Sequence, residues 1–332
     1  MKVLAVESSC DETSVAVVKD GREVYSNVIA SQIDTHKKFG GVVPEIASRQ
    51  HVEAINTVLK EGLDQAGVKL DDIDIIAATR GPGLIGALLV GLSAGKALAL
   101  ATGKPFVGVN HIVGHVCANY ISFKDLEPPF IGLIISGGHT YLIEVKDYVD
   151  FTLHGRTVDD AVGEAFDKVA RSIGLAYPGG PLIDALAKKG KETIEFPRVM
   201  IKEDNYNFSF SGLKTAVLNY LNSTRLRGEE IVTEDVCKSF QEAVVDVLLE
   251  KSFRLAREKD MDKIVLCGGV SANSRIREAF EERGREENIK IFYPELKLCT
   301  DNAAMIASAA YYEYMAGKVD EENFANPNLG LK

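Results

Sequence analysis

Two histidines four residues apart, His111 and His115, stand in a segment from Asn110 to Tyr120 that reads as the start of a helix just after a strand. On a helix this spacing puts both imidazoles on one face, as two ligands of a single divalent ion require. An isolated HxxxH is as readily a pair of surface or capping histidines, so the pair alone does not close a site. A third ligand, an oxygen, is needed. Asp301 is a candidate, expected as the N-cap or first residue of the closing helix, although aspartate is also a favoured cap with no further role.

Glycine turns form a second constellation. Ser136-Gly137-Gly138-His139-Thr140 and Gly268-Gly269-Val270-Ser271-Ala272-Asn273 both follow apolar runs, and the latter is expected to open a helix. Paired glycines let backbone N–H groups approach an anion, and a helix N-terminus adds its dipole. Ligand-free strand-to-helix turns carry the same residues. Gly179-Gly180-Pro181 is a third such turn, with Asp184 one helical turn later, where it could meet a ribose hydroxyl. A polar bend, Glu7-Ser8-Ser9-Cys10-Asp11-Glu12-Thr13, could hold a hydroxyl, an amine or a hydrated cation, though turns are polar in any case. Glu164, Asp167 and Lys168 lie on the helix expected over 159–171, where Glu164 and Lys168 are spaced as a surface ion pair.

The elements that must position these residues alternate. Val3–Val6, Thr13–Val18 and Val24–Ile29 read as strands, with a turn at Asp20-Gly21. A helix follows Pro44, with Ile46, Val52, Ile55, Val58, Leu59 and Leu63 spaced for one buried stripe. A strand over 73–79, a small-residue helix over 84–101 and a strand over 106–109 complete a first cycle. A second cycle opens near residue 130 on the same plan: strand 130–135, polar bend, strands 140–145 and 151–155. Helices are then expected over 160–174, 181–189, 213–221, 234–259, 271–285 and 301–315, with strands at 263–267 and 290–292. The expected class is α/β, and the repeat fits two similar domains, each presenting its bend.

Of 332 residues, 46% are hydrophobic and 26% charged, an ordinary folded composition. The net charge of -10 excludes a uniformly basic nucleic-acid surface. The apolar stretch from Gly83 to Ala101 is broken by glycines, Ser93 and Lys96, so it does not read as a membrane span. No secretory signal precedes the first strand, and Cys10, Cys117, Cys237, Cys267 and Cys299 contain no CxxC pair. They read as reduced thiols, which points to the cytoplasm.

Taken together, the segments MKVLAVESSCDETSVAVV, GGVVPEIASRQH, GPGLIGALLVG, NHIVGH, ISGGHTYLIEV, DDAVGEAFDKVARSIGLAYPGGP, FSFSGLKTAV, GGVSANSRIRE and CTDNAAMIA closely resemble one family. It is the bacterial TsaD family of tRNA adenosine threonylcarbamoyltransferases, long called glycoproteases. The resemblance covers residues 1 to about 308. It implies two duplicated domains of the actin, sugar kinase and heat-shock ATPase (ASKHA) fold around a central cleft. The domains are expected at 1–108 and 109–332, the second carrying the metal and adenylate sites, with the last helix free to pack back on the first.

By that resemblance His111, His115 and Asp301 fall where the family binds one divalent metal, Fe²⁺ or Zn²⁺. Ile134, Ile135, Ser136, Gly137, Gly138, Asp167, Gly180, Asp184 and Asn273 fall where it holds the adenylate. The family's usual HxEGH has glutamate where this chain has Val113, which implies tuning of the site rather than its loss. The implied reaction moves the threonylcarbamoyl group from L-threonylcarbamoyl-AMP to N6 of the adenosine beside the anticodon in tRNAs reading codons that begin with A, releasing AMP. Asp11, Glu12 and His139 are candidates for the base, and the sequence does not choose among them. Implied partners are tRNA, TsaB and the ATPase TsaE, with TsaC supplying the adenylate. Lys188–Lys191 and Arg225–Arg227 are candidate basic surfaces for the tRNA.

Rival readings are a zinc peptidase, an ATPase or sugar kinase of the same fold, and a noncatalytic scaffold. The peptidase requires a glutamate directly after the first histidine, where this chain has Ile112. The kinase requires Mg²⁺, which prefers oxygen ligands to imidazoles.

Overall fold

The computed structural model describes residues 1–319 and 323–331. The chain forms two compact units: Met1–Pro128 with Lys146–Phe151 and Pro294–Lys332, and Pro129–Val145 with Thr152–Tyr293. The first unit thus takes in the HxxxH segment and the closing helix, whereas the repeat in the sequence suggested a division at residue 108.

The first unit opens with β1 (Lys2–Glu7), β2 (Glu12–Lys19) and β3 (Glu23–Ser31), followed by α1 (Ile33–Lys37), α2 (Pro44–Ala66), β4 (Ile75–Gly81), α3 (Ile85–Thr102), β5 (Phe106–Asn110) and α4 (His111–Ser122). Asp20 and Gly21 both take positive φ, 49° and 69°, which a tight hairpin with right-twisted strands requires between β2 and β3. β1 pairs antiparallel with β2 and parallel with β4, so the end of β1 is flanked by both. The core of this unit includes Leu4, Val6, Val15, Val17, Ile55, Val58, Ile76 and Leu92. The α2 stripe departs from expectation at one place: Val52 is 61% exposed and His51 is buried instead. His51 is satisfied by Thr13 Oγ1 at 2.7 Å and the Cys10 carbonyl at 3.0 Å, so burying it leaves no polar atom without a partner.

The second unit contains β6 (Phe130–Ile135), β7 (Thr140–Asp147) and β8 (Asp150–Arg156), the tip between β7 and β8 belonging to the first unit. There follow α5 (Val162–Ser172), α6 (Gly179–Ala187), α7 (Ser211–Leu226), α8 (Thr233–Glu258), β9 (Lys263–Cys267), α9 (Ser274–Glu287) and β10 (Lys290–Phe292). Its core joins Ile131, Leu133 and Leu142 of the sheet to Phe166, Phe240, Phe253 and Phe280 of the helices. The chain ends with α10 (Leu296–Cys299) and α11 (Ala303–Met315), in the first unit.

The repeat is plain in the strand order. The sheets run β3-β2-β1-β4-β5 and β8-β7-β6-β9-β10; β1, β2 and β3 pair antiparallel, as do β6 and β7, whereas β1-β4-β5 and β6-β9-β10 pair parallel. Two of the helix starts that differ from expectation are set by capping asparagines. α9 begins at Ser274, after a 3₁₀ turn over Gly269–Ala272, because Asn273 caps it by accepting from Arg275 N and Ile276 N. α11 begins at Ala303, capped by Asn302. Among the described residues α3 is the one helix long and apolar enough to cross a membrane; it packs against β4 and α2.

Candidate functional site

Asn110, the last residue of β5, starts α4: its side chain accepts from Ile112 N at 2.9 Å. Ile112, Val113 and Val116 are buried, so the rotational setting of α4 is fixed by its core face. His111 and His115 are turned into the interior at 6% and 1% exposure. The last helix supplies the third group. Since Asn302 caps α11, accepting from Met305 N at 3.1 Å, the carboxylate of Asp301 is not spent as the cap the sequence suggested.

His111 Nε2 lies 3.4 Å and His115 Nε2 3.3 Å from the same oxygen, Asp301 Oδ1. Two ligands at about 2.1 Å from a tetrahedral ion stand about 3.4 Å apart, so these separations suit one first-row divalent metal. All three ligand atoms lie within 4.8 Å of one another. The rings of His111 and His115 meet edge to face, 4.6 Å apart.

Both nitrogens of His115 are buried without a hydrogen-bond partner, since the contact to Asp301 lacks hydrogen-bond geometry. A buried, unpaired imidazole costs about 1–3 kcal/mol per orphaned group, which a coordinated ion removes. Burial also holds the His115 imidazolium form down, against the pull of Asp301, so the ring is neutral as a ligand must be. Burial acts to raise Asp301, but the two histidines hold it well below the usual carboxylate range. Nearby, burial and then the charges of Asp301 and Asp11 push Glu12 up to about 9. Burial and Asp11 likewise push the Cys10 thiol up. Negative charge is therefore in excess at this end of the sheet, and a cation suits it.

Behind His111 stands Glu7, the last residue of β1, fully buried. Its Oε2 lies 3.1 Å from His111 Nδ1 and accepts from Thr79 Oγ1 at 2.5 Å, while Oε1 accepts from Ser9 N at 2.5 Å. Ser9 Oγ is a second neighbour of Nδ1 at 3.1 Å. A carboxylate on Nδ1 keeps a proton there, so Nε2 is the nitrogen that would give up its proton to take an ion beside Asp301 Oδ1. Burial raises Glu7, yet His111 prevails and holds it below its ordinary value. Conversely burial lowers His111, and Asp301 with Glu7 reverses this and raises it well above 6.5. In the sequence Glu7 stands only as a member of a polar bend; the available signal is a carboxylate directly after the apolar run Val3–Val6.

In the second unit, the Ser136–His139 turn closes on itself: Ser136 N donates to His139 O at 2.9 Å and His139 N to Ser136 Oγ at 3.1 Å. Ile134 and Ile135 are buried in β6, while Gly137 and Gly138 are exposed with open space where a Cβ would stand. α5 starts against this turn. A Cβ on Gly163 would lie 2.7 Å from Ser136 O and 2.9 Å from Gly137 Cα, so only glycine admits the approach. Gly268, at φ +88°, brings the end of β9 equally close to the Ile135 carbonyl.

Asp167 on α5 accepts from Gly179 N at 2.7 Å, which seats the start of α6. Burial raises its pKa against the Gly179 and Gly180 N–H groups. Asp184 binds the start of α9, accepting from Ser274 Oγ at 2.9 Å and Ser274 N at 3.2 Å. Asn273 donates to Gln241 Oε1 at 2.8 Å while capping α9. Asp167 thus ties α5 to the start of α6 and Asp184 ties α6 to the start of α9, while Gly163 sets the start of α5 against the turn after β6; helix starts at the carboxyl ends of strands are where α/β sheets bind anions.

Among the base candidates, Asp11 and Glu12 lie in the unit with the histidine pair, and His139 lies in the other. One group went unassigned in the sequence. Asp159 accepts from Ser209 Oγ at 2.5 Å, Ser211 Oγ at 2.6 Å and Phe210 N at 2.9 Å, fastening the FSFSG segment beside α5. Burial opposes its ionisation, but those donors hold Asp159 below the ordinary carboxylate value.

Comparisons with known proteins agree with this architecture. The TsaD family model, described as tRNA N6-adenosine threonylcarbamoyltransferase, matches residues 23–308. A curated protein of that name from Clostridioides difficile is 59% identical over 330 residues, covering 99% of this chain and 98% of its own. One from Clostridium beijerinckii is 57% identical over 331 residues, with the same coverage of each. Among solved structures, T. kodakarensis HypF superposes with a TM-score of 0.67 at 14% identity, over 98% of this chain and 49% of its own. Component A of the Acidaminococcus fermentans (R)-2-hydroxyglutaryl-CoA dehydratase gives 0.54 at 17% identity, over 94% and 96%. At such identities the structural likeness shows the fold alone, the ASKHA type. The sequence matches go further: this chain belongs to the TsaD family of tRNA N6-adenosine threonylcarbamoyltransferases.

Proposed function

We propose that the protein transfers the threonylcarbamoyl group of L-threonylcarbamoyl-AMP to N6 of the adenosine beside the anticodon in tRNAs reading codons that begin with A. The N6–C bond forms, the bond from the carbamoyl carbon to the phosphate oxygen breaks, N6 loses one proton, and AMP leaves. The observation that carries the reading is the convergence of His111, His115 and Asp301 on one point, with His115 otherwise unpartnered.

A divalent ion held there, Fe²⁺ or Zn²⁺ by its imidazole and carboxylate donors, would supply Lewis acidity toward the carbamoyl group. Glu7 sets the tautomer of His111. Ser136, Gly137 and Gly138, with Ile134 and Ile135 behind them, and Asp167, Gly180, Asp184 and Asn273 are assigned to the adenylate; backbone N–H groups at the turns would hold the departing phosphate. Asp11, Glu12 and His139 are the groups assigned to the proton. The peptidase reading has no support, since Ile112 is a buried core residue.

tRNA, TsaB and TsaE are the partners of this reading, with TsaC upstream. Exposed apolar side chains on α2 and α3, Val52, Ile85 and Leu89, support a protein partner on the first unit. Five free cysteines are in keeping with a cytoplasmic protein. The test is reconstitution with threonylcarbamoyl-AMP, tRNA and the partner proteins, followed by nucleoside analysis of wild type and His111→Ala. Modified adenosine is expected from the wild type only. Equal modification by both removes the metal-site assignment, and none from wild type, where an authentic enzyme succeeds, removes the function.

A further inference from the structure

The strand order of the second unit sets the Ser136–His139 turn between two flanks. Asp184 and Asn273 gather at α9 on the β9 flank. On the other flank, toward β8, stands a set of side chains to which the adenylate reading gives no use. His139 and Tyr141 are two residues apart at the start of β7, so they share a face, and their rings lie 5.5 Å apart at 35°. Thr157 N donates to Thr140 O at 2.9 Å, which lays the end of β8 beside them, and Arg156 is close enough to act electrostatically on the Tyr141 phenol.

Arg156 is exposed, and its guanidinium has no ion pair or hydrogen bond among the described residues; its backbone alone is engaged, the N–H donating to Asn207 and the carbonyl accepting from Phe208 N. Two of the other candidate cations are offset by carboxylates: Lys188 lies 3.8 Å from Asp184, and Arg227 lies 2.7 Å from Glu229. Next to the rings, Gly137 and Gly138 leave the approach open. Two partly accessible aromatic rings with an unpaired guanidinium at their edge suit an unpaired nucleotide, the base stacking on the rings and the phosphate meeting the cation. The transfer also involves two nucleotides, one leaving and one accepting, which cannot occupy the same ground.

We propose that His139, Tyr141 and Arg156 form a stacking platform for an unpaired nucleotide of the tRNA anticodon loop, on the opposite side of the glycine turn from the adenylate residues. This rests on the reading of the chain as a tRNA-modifying enzyme. It also gives His139 a place against the accepting nucleotide.

The test measures binding of an unmodified tRNA transcript, and separately of AMP, to the full chain and to Tyr141→Ala, Tyr141→Phe, Arg156→Ala and Arg156→Lys. Tyr141→Ala is expected to weaken tRNA binding about tenfold, while Tyr141→Phe, which keeps the ring, binds like wild type. Arg156→Ala is expected to lower the slope of log affinity against log salt by about 0.7, a loss that Arg156→Lys largely restores. AMP binding stays unchanged throughout. tRNA affinity and salt slope equal to wild type in both alanine variants overturn the proposal, as does a loss of AMP binding that matches the loss of tRNA binding. Should Tyr141→Ala fail to fold, the salt slope of Arg156→Ala decides. Because binding is read directly, a wild type that binds tRNA through these residues but modifies none counts against the reaction and not against the platform.

Discussion

His111 Nδ1 and Glu7 Oε2 lie 3.1 Å apart in the interior of the first unit, an imidazole from the start of α4 against a carboxylate from the end of β1. The pair joins residues 104 positions apart in sequence and fixes which nitrogen of His111 is available to an ion. Supporting groups of this kind typically contribute 10–100-fold to metal affinity. Glu7→Gln keeps the shape and removes the charge. We expect it to bind Zn²⁺ about tenfold more weakly, by competition with a chromophoric chelator, and to lower the melting temperature of the metal-free protein, since the buried partner of His111 is lost. Unchanged affinity would separate Glu7 from the site.

Asp301 is the shared oxygen of the cluster, 3.4 Å and 3.3 Å from the two imidazoles. Asp301→Asn is expected to leave the purified protein without stoichiometric metal by elemental analysis, and His115→Ala likewise. A full metal complement in either variant places the ion elsewhere.

Gly163 concerns the other unit. Alanine is the better helix former by about 1 kcal/mol, so Gly163→Ala should not lower stability through propensity. Its Cβ would nonetheless press on Ser136 O at 2.7 Å and force α5 away from the glycine turn. Weakened AMP binding, together with a lower melting temperature from the backbone clash, is therefore expected by calorimetry. Wild-type AMP affinity would remove the start of α5 from the nucleotide site.

Glu242 on α8 is clasped by Arg275 Nε at 2.9 Å and Lys238 Nζ at 2.7 Å. Burial raises its pKa, but the two cations prevail and hold it below the ordinary 4.5. A carboxylate depressed on folding stabilises the protein above its unfolded pKa, and that contribution disappears as pH falls through the folded value. Glu242→Gln should cost about 2 kcal/mol at pH 7, and the gap to wild type should close as the pH is lowered below the usual carboxylate range. Melting curves at the two pH values check it; a gap that is constant with pH contradicts the ionic account.

The alternation of strands and helices was legible because each sheet is built from near-continuous apolar runs, such as Val3–Val6 and Phe130–Ile135, separated by glycine or polar bends. The HxxxH pair was legible because helical spacing is a local property. Val52 was misplaced because a period marks a face without saying which of its members reach the core, and His51 took the buried place once Thr13 and the Cys10 carbonyl satisfied it. Glu7 was not legible as a partner of His111, since their contact depends on β1 and β5 standing on either side of β4. The start of α11 was wrong by two residues, and the error mattered: Asn302, not Asp301, spends its side chain on the cap.

α11 is buried along Ala303–Ala310 and rests on β1, β2 and α4; Ala303 N donates to Ser14 Oγ at 2.9 Å. The strands β1 and β2 are therefore completed by a helix that the ribosome makes only after the second unit. During synthesis the histidines emerge long before the aspartate that joins them, and the nascent protein cannot assemble the three-ligand cradle until the entire second unit has been translated. An ion held by these three groups would close its site only once Asp301 had been made, and a chain truncated ahead of Asp301 would carry both imidazoles without the third ligand.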